Sequence, residues 1–191
     1  MVETLQKIDT SLFLLFNRDL TNHFFDGIMP FITRGTSWIF PLLLMGYLFW
    51  KKEGKTALAL MAFSLVLVGL ADLFSVRVLK QLVERTRPCD PANLVEGGRF
   101  LVGHLRSLSF PSSHAFNSAA FAAYFTYFVP KRKYLFLAIT LLIGYTRVYV
   151  GVHYPFDVFG GWLIGAGMGI SYAWLIGRMY GNYYNKLPKT K

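Results

Sequence analysis

Residues 56–76 read TALALMAFSLVLVGLADLFSV, and this stretch decides the fold. An α-helix needs about 20 mainly apolar residues to cross the roughly 30 Å hydrocarbon core of a bilayer, and this run is long enough to do so. Because backbone N–H and C=O groups in lipid have to hydrogen-bond within their own segment, we expect the run to be helical. The stretch therefore predicts a transmembrane helix in an integral membrane protein.

Four further apolar runs predict the rest of a helical bundle. They cover residues 37–50, 113–129, 134–150 and 156–176, and the first is short and extends backward through FFDGIMPFITRGT (residues 24–36). Residues 1–33 carry Asp9, Arg18 and Asp19 around a short apolar face, which favours an amphipathic helix at the membrane interface over a span. The sequence thus predicts an all-α bundle with five transmembrane helices and this N-terminal amphipathic segment. Six spans is the alternative.

Composition supports a membrane protein and argues against other classes. Hydrophobic residues make up 54 % of the 191 residues, and the net charge is +10. The basic residues form short clusters between apolar runs, which favours a membrane over nucleic acid as the partner. Cys89 is the one cysteine, so neither an intrachain disulfide nor a cysteine metal cluster is expected. We treat residues 1–191 as one membrane-embedded domain.

The basic connectors predict the orientation of the bundle. Residues 51–55, residues 130–133 and the tail from Arg178 are basic, and with five spans all three lie on one side. The positive-inside rule makes that side cytoplasmic, which puts the connector from residue 80 to about residue 110 outside. In a bacterium this is the periplasmic face of the inner membrane. The outer connector is nevertheless basic, and phosphate binding would explain its charges, which are Lys80, Arg85, Arg87, Arg99 and Arg106.

Three polar clusters on the predicted outer side indicate a phosphate site. They are KQLVERTRP (80–88), PSSH (111–114) and TRVYVGVHYPFD (146–157). The guanidinium groups of Arg87 and Arg147 match two phosphate oxygens at once, and Lys80 adds a point charge. Ser112 and Ser113 follow a proline at a predicted helix start, where free N–H groups and the helix dipole favour an anion.

Two histidines and a carboxylate in these clusters indicate catalysis. His153 and Asp157 are four residues apart, so a helical turn would place both on one face. A carboxylate bonded to one ring nitrogen leaves the lone pair of the other free to attack phosphorus. His114, when protonated, would donate to the leaving oxygen. Each residue alone is typical of a membrane interface or a helix cap, but the whole set on one side favours an active site.

The order of these motifs resembles the type 2 phosphatidic acid phosphatase superfamily. The pattern is Lys-x6-Arg-Pro, Pro-Ser-x-His and Arg-x5-His-x3-Asp, and it spans residues 80–157. The resemblance implies that the phosphate is bound by Lys80, Arg87 and Arg147. It places Ser112, Ser113 and His114 in the Pro-Ser-Gly-His element, with His114 as the general acid. It also implies that His153 forms a phosphohistidine and that Asp157 orients the His153 ring. It also implies that no metal or other cofactor is needed. Ser113 replaces the usual Gly and Thr146 the usual Ser, and neither change removes a catalytic group.

A membrane lipid phosphatase is the function that these observations predict. The expected substrate is an envelope lipid with a terminal phosphate: undecaprenyl diphosphate, lipid A 1-phosphate or phosphatidylglycerol phosphate. A phosphotransferase with the same phosphohistidine, or a lipid-binding or transport protein without chemistry, is the alternative. Nucleic acid is not an expected partner, and the sequence does not give an oligomeric state.

Two further features have open readings. The outer side chains of Arg85, Arg99, His104 and Arg106 fit either a larger headgroup or a solvated loop. Gly161, Gly165 and Gly169 recur at a spacing that allows close helix approach, which favours packing inside the bundle over a dimer face.

Overall fold

The computed structural model describes residues 2–184, and in this range the chain forms helices and no strands. The helices are α1 (Val2–Leu14), α2 (His23–Ile32), α3 (Ile39–Glu53), α4 (Lys55–Phe74), α5 (Lys80–Val83), α6 (Ser113–Phe128), α7 (Lys133–Tyr149) and α8 (Pro155–Tyr184). Each of the five predicted apolar runs is helical, so the all-α prediction is confirmed. The last part of the basic tail, residues 185–191, lies outside the described residues.

Among the described residues, two helices are long and apolar enough to cross a membrane. The first is the rod Lys55–Val83, in which a π-helical turn at Ser75–Leu79 joins α4 to α5. The second is Pro155–Met179 of α8. A third candidate is the pair His23–Ile32 and Gly35–Glu53, which is bent by 78°. Helices α6 and α7 have only 16 and 17 residues, somewhat fewer than a full crossing needs.

Helix α6 lies at the centre of the bundle, because α4, α7 and α8 all pack against it. The largest buried cluster joins Leu60 and Leu67 of α4 with Phe116 and Tyr124 of α6 and Ala173 of α8. The Tyr124 hydroxyl donates a hydrogen bond to the Leu60 carbonyl at 3.0 Å. Burial of these side chains therefore fixes α6, and with it the polar residues at its start.

The glycines of α8 let it approach α6 closely. A Cβ atom on Gly165 would lie 2.2 Å from the Phe116 carbonyl oxygen, and one on Gly169 would lie 2.3 Å from the Ala120 carbonyl oxygen. A side chain at either position would push the helices apart. The predicted packing role of Gly161, Gly165 and Gly169 is confirmed, and this packing sets the start of α8 beside the start of α6.

The N-terminal helices cover the end of the bundle where α6 and α8 begin. Helix α1 contacts α8, and α2 contacts α7. Asp9 and Asn17 are fully buried, and the Asn17 amide donates to the carbonyls of Tyr149 and Arg99, each at 2.8 Å. Asp9 and Asn17 therefore face the protein, and Asn17 ties this segment to the loops around α7.

Candidate active site

All the predicted site residues come together at one end of the bundle. They lie at the ends of α5, α6, α7 and α8 and in the loops between them, and they comprise Lys80, Arg87, Ser112, Ser113, His114, Arg147, His153 and Asp157. The close packing of α6 and α8 joins the second and third motifs, since the Ser112 amide donates to the Asp157 carbonyl at 3.0 Å. Three motifs that are far apart in sequence therefore form one cluster.

The two ring nitrogens of His153 have different partners. Its Nε2 lies 3.0 Å from Nη1 of Arg87, and its Nδ1 lies 3.5 Å from Oδ2 of Asp157 and 3.3 Å from Oγ of Ser109. A guanidinium group only donates hydrogen bonds, so Nε2 has to accept. The proton of the neutral ring is then on Nδ1, and the lone pair on Nε2 faces the cationic side of the cluster.

Asp157 is held in a dense set of donors. Its Oδ2 accepts a hydrogen bond from the Tyr154 amide at 2.9 Å and another from the Ser109 hydroxyl. Tyr154 precedes α8 and Asp157 lies in its first turn, so this contact caps the helix start. Ser109 was not among the predicted site residues, although it stands only two residues before Pro111. Its contacts with His153 and Asp157 place it beside the His153 ring.

Lys80 and Arg87 brace the loops of the cluster. The Lys80 ammonium donates to the carbonyls of Leu108 and Pro111 at 2.7 and 3.0 Å and also lies 3.2 Å from the Ser109 carbonyl. Its donors are thus occupied by the chain, and what it brings to an anion is positive charge. The Arg87 Nη1 donates to the Val152 carbonyl at 2.9 Å as well as to His153.

Arg147 and Ser112 each carry an unused polar atom. Arg147 is 8 % exposed and its Nη1 donates to the Thr33 hydroxyl, but its buried Nε has no partner among the described residues. The buried Oγ of Ser112 has no partner among them either. Buried polar atoms without partners are rare in folded proteins, and at this cluster they fit an anion that both could bind.

His114 occupies the open side of the cluster. Its side chain is exposed, unlike that of His153, which is 2 % exposed. The Thr33 carbonyl faces His114, and the two imidazoles are within electrostatic range of each other. The next residue back, Ser113, shares a hydrogen bond with Ser75 at 3.2 Å between their hydroxyl oxygens. Thr33 comes from the N-terminal segment, and no sequence signal linked it to this site.

Burial lowers the pKa of His153 well below its ordinary value, and the positive charges of Arg87, Arg147 and Lys80 lower it further. The ring is therefore neutral at pH 7. The unfolded chain takes up a proton near pH 6.5 that the folded ring does not take up, so the free energy of unfolding decreases as the pH falls below about 6.5.

The wild type and His153→Gln should differ in how their free energy of unfolding depends on pH, because only the wild type has this ring to protonate on unfolding. We expect the wild type to lose up to about 1.4 kcal/mol more stability per pH unit below about pH 6.5 than the variant. Thermal unfolding in detergent between pH 7.5 and 5 measures both. Parallel curves for the two proteins would contradict a neutral buried ring.

Arg85 is part of a buried ion network rather than a solvated loop or a headgroup site. Its Nη1 donates to Oδ1 of Asp157 at 2.8 Å, and its Nη2 donates to Oδ2 of Asp9 at 2.7 Å. The other oxygen of Asp9 accepts from the Phe156 amide at 2.9 Å. Both earlier readings of Arg85 were therefore wrong, because they left out α1, which supplies the second carboxylate. The network joins α1 to the start of α8.

Loss of Arg85 should destabilise the protein strongly. Arg85→Leu leaves two fully buried carboxylates without their shared cation, and removal of one partner from a buried pair typically costs about 3–5 kcal/mol. Thermal unfolding in detergent measures the loss, with Arg106→Leu as the matched control because Arg106 is exposed. The control should change stability by no more than about 0.5 kcal/mol. Equal stability of the two variants would show that the network contributes little.

The remaining outer side chains differ in their surroundings. Arg99 forms an ion pair with Asp26 of α2, and the His104 ring lies 3.3 Å from the Cys89 carbonyl. His104 and Arg106 are both exposed, so both open readings still fit them. Between residues 3 and 179, no group of three or more His, Cys, Asp or Glu side chains is arranged to hold a metal ion.

The fold and the site define a helical membrane protein with a histidine and a set of cations at one end of the bundle. The model of the PAP2 superfamily matches residues 57–180, and the chain belongs to this superfamily. It is a phosphatase of the membrane lipid phosphatase class.

Individual relatives and a solved structure agree with this assignment. The chain is 32 % identical to the lipid A 4'-phosphatase of Bacteroides thetaiotaomicron. The alignment runs over 179 residues and covers 85 % of this chain and 78 % of that protein. It is 33 % identical to the phosphatidylglycerophosphatase B of Bacillus subtilis, over 68 % of this chain and 64 % of the relative. The crystal structure of Aquifex aeolicus LpxE superimposes with a TM-score of 0.65 at 31 % identity, over 85 % of this chain and 92 % of that one.

Proposed function

We propose that this protein removes the terminal phosphate of an envelope lipid through a phosphohistidine on His153. The observation that carries the proposal is the Nε2 lone pair of His153, which is 3.0 Å from Arg87 Nη1 and is surrounded by cations. A neutral imidazole beside positive charges is suited to attack a phosphate, because the charges draw the anion toward the nitrogen and stabilise the developing negative charge.

The reaction has two steps with one group transfer in each. In the first, Nε2 of His153 forms a bond to phosphorus while the bond from phosphorus to the lipid oxygen breaks, and His114 gives its proton to that oxygen. In the second, His114 takes a proton from water, the water oxygen attacks phosphorus and the bond to Nε2 breaks. Inorganic phosphate leaves and both histidines return to their first state.

The other predicted residues have supporting roles. Asp157 holds the Nδ1–H of His153 and so keeps the lone pair on Nε2. Arg147 would bind the phosphate through its free Nε, and Ser112 through its free hydroxyl. Arg87 would shift its Nη1 from His153 to a phosphate oxygen as the substrate enters. Lys80 acts through its charge, and Ser113 through its backbone amide at the start of α6.

The bundle would lie in the inner membrane with the cluster facing the periplasm. We propose five spans: the bent pair of α2 and α3, the rod of α4 and α5, then α6, α7 and α8. Helices α6 and α7 reach the needed length together with their flanks. In this arrangement α1 lies at the outer interface, and the basic connectors at residues 51–55 and 130–133 face the cytoplasm. A lipid can then present its phosphate to the site while its tails stay in the bilayer.

The candidate substrates are undecaprenyl diphosphate, lipid A 1-phosphate and phosphatidylglycerol phosphate. Phosphate release by the purified protein in detergent with EDTA tests the proposal, with the three lipids side by side and His153→Ala as the blank. We expect release from at least one lipid and none in the variant. Release from none of the lipids would overturn hydrolysis. A labelled lipid with added lipid acceptors would then detect phosphotransfer, and binding without any transfer would indicate a lipid-binding or transport protein.

A further inference from the structure

An acidic side chain lies inside the rod that crosses the membrane. Asp72 is in α4, between the apolar residues that precede it and the site residues that follow, and its side chain is exposed. It accepts a hydrogen bond from the Asn117 amide of α6 at 3.2 Å. Ionisable groups in transmembrane helices are costly and usually face a polar cavity or a bound group. The position of Asp72 therefore calls for a polar partner beyond Asn117.

Asp72 and Asn117 lie just below the phosphate cluster on the leaving-group side. The hydroxyl contact between Ser75 and Ser113 marks the level where α6 begins. Asp72 is three residues from Ser75, and Asn117 is four from Ser113, so the pair is about 4.5–6 Å deeper in the membrane. Lys80 is still within electrostatic range of Asp72.

His114 and Asn117 share one face of α6, because they are three residues apart. In the proposed mechanism His114 donates its proton to the leaving oxygen. The part of the substrate attached to that oxygen then extends from His114 toward the membrane interior, where its tails lie. Within about one helical turn it meets Asp72 and Asn117.

The chemistry of the pair defines what it can recognise. A carboxylate accepts hydrogen bonds only, so the amide nitrogen of Asn117 has to face Asp72. This contact holds one carboxylate oxygen and leaves the second oxygen available as an acceptor. A hydroxyl or amide N–H on the leaving group would satisfy it. A second phosphate at this place would instead meet a like charge in a low-dielectric setting.

We propose that Asp72, held by Asn117, is a subsite for the leaving group and selects phosphate monoesters of a sugar or glycerol unit over a polyprenyl diphosphate. This inference rests on the proposed function. It deepens that function by naming the substrate class: a lipid whose phosphate is attached to a unit with a hydroxyl or amide N–H donor near the ester oxygen.

The ratio of kcat/KM values for two lipids tests the subsite in one protein preparation. The numerator is kcat/KM for lipid A 1-phosphate and the denominator is kcat/KM for undecaprenyl diphosphate, and phosphatidylglycerol phosphate is run as a third substrate. We expect the wild type to prefer a monoester. In Asp72→Asn the ratio should fall about tenfold or more, because the variant keeps the shape but loses the charge and gains N–H donors. Asn117→Leu removes the hydrogen bond that holds the Asp72 carboxylate, so it should also lower the ratio.

A matched control is Ser64→Ala, which removes a polar side chain from the same helix. The Ser64 hydroxyl donates to the Met61 carbonyl of its own helix at 2.7 Å, so the ratio should stay as in the wild type. The two monoesters, of lipid A and of phosphatidylglycerol, are then compared with each other. The one whose kcat/KM falls more in Asp72→Asn identifies the recognised unit as a sugar or as glycerol.

Failure of the inference and failure of the proposed function have different signatures. A wild type that prefers undecaprenyl diphosphate would overturn the inference alone. So would ratios that stay unchanged in both Asp72→Asn and Asn117→Leu while the lipids are still hydrolysed. Absence of phosphate release from all three lipids by the wild type would overturn the proposed function, and the subsite with it.

Discussion

Replacement of His153 by alanine is expected to abolish phosphate release, with a loss of about 10³-fold or more in kcat/KM. The variant lacks the atom that forms the bond to phosphorus, and no other imidazole has its position between Arg87 and Asp157. Initial rates of phosphate release from the preferred lipid measure the loss.

The control for this variant is His23→Ala, which removes an exposed histidine of α2 that is not in the cluster. It should keep the wild-type rate. If His153→Ala retained near-wild-type activity in clean protein, the nucleophile would be a different residue.

The second large effect is expected for His114→Ala. General acid catalysis is typically worth about 10²–10⁴-fold, and the open position of His114 suits proton transfer to a leaving oxygen. The loss should be largest for an alcohol leaving group, which is basic and needs the proton. It should be smallest for a diphosphate, whose leaving group is a phosphate.

Parallel rates on a lipid monoester and on a diphosphate measure this difference. The expected result is a loss on the monoester at least tenfold greater than the loss on the diphosphate. Equal losses on both substrates would mean that His114 binds the phosphate rather than protonates the leaving group.

The sequence predicted the helices and the motif residues because both have local signals. An apolar run such as residues 56–76 forms a helix in lipid whatever surrounds it, because its backbone groups have to hydrogen-bond within the run. Lys80, Arg87, His114 and His153 are recognisable from their spacing alone. The glycines of α8 also predicted close packing inside the bundle, although not that the partner is α6.

Other parts of the site depend on packing between distant segments and had no such signal. Asp9 is an ordinary charge on an amphipathic helix until α1 folds against α8 and pairs it with Arg85. Thr33 contacts Arg147 only because α2 packs beside α7. The partner of a buried polar group is set by the tertiary arrangement, so its identity could not be read from spacing.

The number of spans was the least predictable part of the fold. Residues 24–36 and 37–50 look like one interrupted apolar run, yet the helices they form meet at 78°. Helix α6 has 16 residues, and its first turn carries the polar site residues Ser113 and His114. Apolar length, which is the signal for a span, is weak wherever a helix end carries polar site residues.

Trapping of the covalent intermediate is the most direct test of a phosphohistidine on His153. The wild type is mixed with lipid substrate labelled in its terminal phosphate and is quenched within one turnover in alkaline detergent, where a phosphohistidine survives. We expect label on the protein that maps to the peptide containing His153, is lost in acid, and is absent from His153→Ala. Steady hydrolysis by the wild type with no trapped label, or label that persists in His153→Ala, would contradict a phosphohistidine at this residue.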